Sequence, residues 1–176
     1  MISIARALEI VLENTPLLPI EDVALVDTLG RVLAEDVTAD HDFPPFARSA
    51  MDGFAVRAED VRTLPAVLEV VGQVRAGQWP DRRLGAGEAI EIMTGAPLPP
   101  GADAVMQVEN TKRLEEGRVQ ILAPVEANQN VAARASEVRA GDPVLARGLR
   151  IDPATVAVLA SVGKARVSVG ERPTLS

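Results

Sequence analysis

Four side chains carry most of the chemistry this sequence offers. Ser49 and Asp52 lie in Pro44-Pro45-Phe46-Ala47-Arg48-Ser49-Ala50-Met51-Asp52-Gly53-Phe54-Ala55. Thr94 lies in Met93-Thr94-Gly95-Ala96-Pro97, and Glu109 follows the apolar run Ala104-Val105-Met106-Gln107-Val108. A short Asp on a stiff loop can ligate Mg²⁺, with substrate phosphates completing the shell. It can equally accept backbone N–H bonds and stabilise its own turn, and Asp52-Gly53 is a turn signal. The residues alone favour the turn. A strand that breaks at Thr94-Gly95 would expose amide N–H groups and a hydroxyl, which suits phosphate or molybdate. It lacks the length and the Lys of a P-loop, and an ordinary strand end is the stronger alternative. Glu109 aims a carboxylate into a cleft or merely ends a strand in solvent, the latter being the simpler reading.

Other residues offer less. The sole His, His41, stands beside Asp42, which makes neither a metal cluster nor a triad and points to a structural or surface role. Trp79, in a Gly/Pro/Arg setting, reads as a local packing anchor. The stretch from Asn130 to Glu137, with Arg134, reads as a polar surface loop. There is no nucleophile–base pair, dinucleotide-binding loop or basic-aromatic patch.

These side chains need a frame to hold them. Pro44 and Pro45 keep the backbone extended. Phe46 and Phe54, two of three phenylalanines, flank the loop and pin it so that Ser49 and Asp52 face a fixed direction. Apolar residues make up 47% of 176, enough for a core, but only 2% are aromatic, so Val, Leu, Ile and Ala must build it. A net charge of −7 disfavours nucleic acid and anionic membrane as partners. Without Cys there are no disulfides or thiolate metal sites, which fits a cytoplasmic setting. No signal peptide opens the chain and no apolar run is long enough to span a membrane.

Ser3 caps a helix bearing Ile4, Leu8, Val11 and Leu12 on one face, ended by Asn14-Thr15-Pro16. Residues 17–29 read as extended and 31–37 as a strand. Strands are expected at 67–74, 88–93 and 104–108, with a hairpin turn at Glu116-Gly117. Asp152-Pro153 opens a second helix that Gly163 stops, and 165–169 is a last strand. Mixed signals at both ends around turn-punctuated strands predict an α+β, β-rich fold: a β-rich domain inserted into a smaller mixed one whose ends come together. The chain stops where a further strand is expected to begin after Pro173, an odd place for a natural terminus.

Taken together these residues resemble a known family. The run from Pro45-Phe46 through Ser49-Ala50-Met51-Asp52-Gly53-Phe54-Ala55 resembles the signature of the MoeA family of molybdopterin molybdenumtransferases, which includes the gephyrin E domain. So does Gly87-Glu88-Ala89-Ile90 through Ile92-Met93-Thr94-Gly95-Ala96-Pro97-Leu98-Pro99, continuing into Gly101-Ala102-Asp103-Ala104-Val105. The resemblance runs from the first helix to Pro173. It implies a discontinuous rod-like α/β domain I at 1–38 and 143–176 and a β-rich domain II at 39–142, in a homodimeric cytoplasmic enzyme. That enzyme inserts molybdate into adenylylated molybdopterin and releases AMP, with Mg²⁺ or a similar divalent ion. A molybdopterin adenylyltransferase is a further partner the resemblance allows.

The resemblance also implies roles. The cleft would lie between domain II of one subunit and a third domain of its partner, and that third domain would begin at Arg172-Pro173. Asp52 would hold the metal or orient substrate as a catalytic residue, with Thr94. Thr94-Gly95 would contact phosphate or oxyanion, while Ser49, Gly53 and Glu109 line or support the site. Arg134 and Glu137 belong to a substrate-binding loop that departs from the family's Asn-Val-Arg-x-x-Gly-x-Asp. Here Ala132 replaces the Arg, Ala135 the Gly and Glu137 the Asp. Losing the Arg removes a bidentate anion contact, for which Arg134 is a stand-in. Losing the Gly argues against the original turn. The expected chain is thus half of an inter-subunit site, folded but inactive alone. The alternatives are a diverged scaffold module that has lost the chemistry, and a generic anion-binding domain resting on Thr94-Gly95.

Overall fold

The computed structural model describes residues 2–173, and the chain divides into two compact units. One unit joins the segment up to Asp40 with the segment from Gly141 onward, and the other is the continuous stretch His41–Ala140. In chain order the first leg holds helix α1 (Ile4–Glu13) and strands β1 (Ile20–Ala24) and β2 (Val37–Thr38). The middle holds β3 (Arg48–Ser49), β4 (Gly53–Val56), β5 (Ala66–Val74), β6 (Glu88–Ile92), β7 (Ala104–Gln107), β8 (Thr111–Arg113), β9 (Arg118–Ile121) and β10 (Val131–Ala132). The return leg holds β11 (Pro143–Leu145), helix α2 (Pro153–Ser161) and β12 (Arg166–Gly170). The fold is therefore α+β and rich in strands, as expected. The strand expected to begin after Pro173 lies outside the described residues.

In the two-legged unit the ends do meet. β1 pairs antiparallel with β12, and β2 with β11. Both helices start at the predicted caps: Ser3 accepts from the Arg6 amide at 3.2 Å, and Asp152 from the Thr155 amide at 2.7 Å. Gly163 takes φ +75° just after α2, the left-handed stop a glycine allows. One expectation differs. Residues 31–37 do not form one strand; only 37–38 pair as a ladder. Val32 bridges to Arg150 while Leu33 bridges to Val169, so the chain crosses between two neighbours instead of lying along either. The apolar face of α1 is also uncovered, with Leu8, Val11 and Leu12 all exposed.

The central unit is a six-stranded mixed sheet in the order β7-β4-β6-β5-β9-β8, with β5 parallel to β6 and the other pairs antiparallel. The β8–β9 hairpin closes at Leu114, whose amide donates to the Arg118 carbonyl at 2.9 Å, and turns through residues 115–117, with Glu116 and Gly117 both at positive φ. Alternation along the strands divides two cores. Phe54, Val56, Leu68, Ala89, Ala104, Met106, Val119 and Ile121 fill one face; Ala55, Val74, Ile90, Ile92, Ala96 and Val105 fill the other. All four residues of β4 are buried. Among the described residues no helix is long and apolar enough to cross a membrane.

At the head of β4 the packing leaves no tolerance. A β-carbon on Gly53 would lie 1.9 Å from the backbone oxygen of Met106 on β7. Only glycine lets β4 and β7 meet there. Gly53→Ala is expected to cost about 3 kcal/mol, the upper range for overpacking, read as a lower urea midpoint; a loss under about 1 kcal/mol would show that β7 simply moves away.

Candidate functional site

The site grows from the entry to β4. Val108 donates its amide to the Asp52 carbonyl at 3.1 Å, which ties the loop before Gly53 to the residues after β7. On the other side, β6 ends at Ile92 and the chain turns through Thr94-Gly95. There the Thr94 amide and the Thr94 hydroxyl both donate to Asp52 Oδ1, at 2.7 and 2.8 Å. Two donors from one residue fix the carboxylate plane. Asp52 is exposed, and its Oδ2 takes no hydrogen bond among the described residues. The Thr94 amide, and then its hydroxyl, hold the Asp52 carboxyl below its ordinary value, because both bonds favour the charged form.

Ser49 is buried and works on the loop itself: its Oγ donates to the Met51 carbonyl at 2.5 Å. Its backbone is bonded through both its polar groups to the turn after β6. The Ser49 amide donates to the Ala96 carbonyl at 2.9 Å, and the Ser49 carbonyl accepts from Gly95 at 2.8 Å. Gly95 sits at φ +81°, the left-handed geometry that returns the chain to this ladder. The free amides expected at Thr94-Gly95 are therefore not there. Thr94 N–H goes to Asp52, Gly95 N–H to Ser49 and Ala96 N–H to Met93. The turn consumes the donors that an oxyanion nest would need, so Thr94-Gly95 positions Asp52 and leaves no amide spare. Glu109 is exposed, one residue beyond the amide that holds Asp52.

Arg134 and Glu137 bond to partners other than Asp52 and Thr94. Arg134 Nε donates to Asp42 Oδ2 at 2.6 Å, and Glu137 accepts from Arg48 Nη2 at 3.0 Å. The Ala140 amide, then Arg134, keep the Asp42 carboxyl below its ordinary value. Arg134, offered as a stand-in for the arginine expected at 132, pairs here with Asp42 through a largely exposed guanidinium. Arg48 does occupy that neighbourhood: β3 pairs antiparallel with β10, and Arg48 lies directly opposite Ala132. Side chains paired this way share a face of the ladder. Arg48 carried no sequence signal, since its opposite number lies far along the chain. The turn thought lost with the glycine is retained: Ala135 itself takes φ +58° and donates its amide to the Pro44 carbonyl at 3.0 Å.

His41 packs its ring against Phe43, with centroids 4.5 Å apart, in keeping with a structural role. Trp79, expected as a local packing anchor, meets the Phe46 ring at 4.8 Å and is 70% exposed. Among the described residues no group of three or more His, Asp or Glu side chains gathers to hold a metal. Mg²⁺ fits here only in its usual manner, through one or two carboxylates with substrate oxygens supplying the rest; Asp52 Oδ2 is the available ligand.

Two outcomes follow. A left-handed alanine is strained, so Ala135→Gly should raise stability by about 1 kcal/mol in urea unfolding, and no gain would show the strain to be absent. Because the folded state lowers the Asp52 pKa, its stabilisation is complete above the ordinary value of 3.8 and is lost as pH falls through the depressed one. The Thr94 amide proton resonance should titrate with a midpoint below 3.8; a midpoint at or above it would contradict the bond.

The chain also has close relatives. The family model described as MoeA N-terminal region (domain I and II) matches residues 2–163. The molybdopterin molybdenumtransferase of Bacillus subtilis strain 168 is 40% identical over 162 residues, 88% of this chain and 38% of that protein. The enzyme of the same name from Synechococcus elongatus is 38% identical, over 100% of this chain and 44% of its own length. The crystal structure of the molybdopterin biosynthesis moeA protein of Pyrococcus horikoshii OT3 superposes with a TM-score of 0.91 at 37% identity, covering 96% of this chain and 46% of that one. The chain spans less than half the length of these relatives. It belongs to the MoeA family, over the N-terminal region that comprises domains I and II.

Proposed function

We propose that this chain contributes Asp52 and its supports to the site of a molybdopterin molybdenumtransferase, which inserts molybdate into adenylylated molybdopterin and releases AMP. The observation that carries the reading is the double bond from Thr94 to Asp52 Oδ1. It keeps the carboxylate charged and turns its second oxygen outward. Mg²⁺, held by Asp52 Oδ2 with substrate oxygens completing its shell, would neutralise phosphate charge there. Thr94 positions Asp52, Ser49 and Gly53 hold the loop, and Arg48 offers a guanidinium for a phosphate or molybdate oxygen beside the ladder. Glu109 lines the entrance. The remainder of the site would come from a third domain of the partner subunit in a homodimer.

A second reading, a module that has kept the fold and lost the chemistry, draws on Ala132 and on the ion pairs that occupy Arg134 and Glu137. Asp52→Asn separates the two. Asparagine can still accept from Thr94 but carries no charge. Turnover of adenylylated molybdopterin, by a protein carrying this chain, is expected to fall at least about tenfold at saturating Mg²⁺, with only a small drop in the unfolding midpoint. Unchanged turnover would remove Asp52 from the chemistry and leave the scaffold reading.

A further inference from the structure

Trp79 is the only tryptophan of the chain, and 70% of it faces solvent. Large rings are normally among the most strongly covered side chains, because burial of their area gains so much. This one is held without being covered. The Phe46 ring meets it edge to face, with planes at 61° and centroids 4.8 Å apart. Such a contact fixes the direction of the indole and leaves at least one of its faces open.

Its location gives the open face a use. Phe46 precedes Ser49 by three residues, so their backbones are at most about 11 Å apart. The intervening strand is bonded along its length to the chain that leaves Thr94. Leu98 donates to the Ala47 carbonyl at 2.9 Å, Arg48 bridges to Pro97, and Gly95 donates to the Ser49 carbonyl at 2.8 Å. The aromatic pair thus stands at one end of a short ribbon whose other end carries Asp52 and Thr94.

We infer that Trp79 is a stacking platform for the flat heteroaromatic ring of a phosphorylated ligand whose charged end lies toward Asp52. The inference rests on the function proposed above, since that substrate carries two such rings, an adenine and a pterin, joined through phosphate. Trp79 binds whichever ring is presented at this end, and Phe46 is the residue that positions it. Stacking on an aromatic side chain tolerates either ring, because each has a π-face.

The chain is well suited to the test, because Trp79 is its only tryptophan and it has no tyrosine. Its fluorescence would be titrated with AMP, with neopterin and with ribose 5-phosphate, using free N-acetyltryptophanamide to correct for absorption by the ligands. Saturable quenching by AMP alone assigns the adenine and by neopterin alone the pterin, and ribose 5-phosphate should give none. Calorimetry of the ligand that quenches should show about tenfold weaker binding to Trp79→Ala and a smaller loss for Trp79→Phe. The inference is overturned if neither ring compound quenches, if ribose 5-phosphate quenches as well as they do, or if Trp79→Ala binds as tightly as the native chain. Activity of Asp52→Asn tells the two claims apart. A loss of turnover with no quenching leaves the proposed function standing without the platform, and quenching with unchanged turnover does the reverse.

Discussion

Between β4 and β7 there is room for a hydrogen and nothing more. The Gly53 α-carbon faces the Met106 carbonyl so closely that any side chain would collide with it. Everything that matters at the candidate site depends on this contact. It sets where β4 enters the sheet, and hence where Asp52, one residue earlier, leaves it. Buried apolar residues on both faces then hold β4 against β6 and β7. Interiors of that density do not yield to small displacements, so the carboxylate inherits a fixed origin from the core.

Orientation is added by hydrogen bonds that belong to the turn after β6. Thr94 gives both its donors to one carboxylate oxygen, Gly95 gives its amide to Ser49 on the ribbon beside it, and Ala96 gives its own to Met93 within the turn. A carboxylate bonded on one side only is a directed ligand. It is anionic and open toward solvent, which suits a cation better than an oxyanion. Arg48, across the ladder from Ala132, supplies the positive charge that an oxyanion would require. The surface pair it makes with Glu137 is worth little, so the guanidinium can be released to a ligand at small cost.

Much of this was legible in the residues. Alternation disclosed β5 and β6, an apolar run disclosed β7, and cap chemistry disclosed both helices, because those signals are local. What a local signal cannot carry is the identity of a distant partner. Thr94-Gly95 looked like a source of free amides because its acceptor, Asp52, is 42 residues away. Arg48 passed unremarked because only the fold sets it opposite Ala132. Ala135 shows the complementary limit: a glycine is the easiest occupant of a left-handed turn, yet an alanine is held there by its bond to Pro44. Periodicity likewise identified an apolar side of α1 but not whether anything covers it.

The central claim is that Asp52, aimed by Thr94, is the cation ligand this chain brings to its site. Paramagnetic broadening of backbone amide resonances by Mn²⁺, standing in for Mg²⁺, tests it most directly. The account predicts broadening centred on residues 52, 94–95 and 109, abolished in Asp52→Asn. Broadening spread over the acidic surface, or unchanged by that substitution, would contradict it.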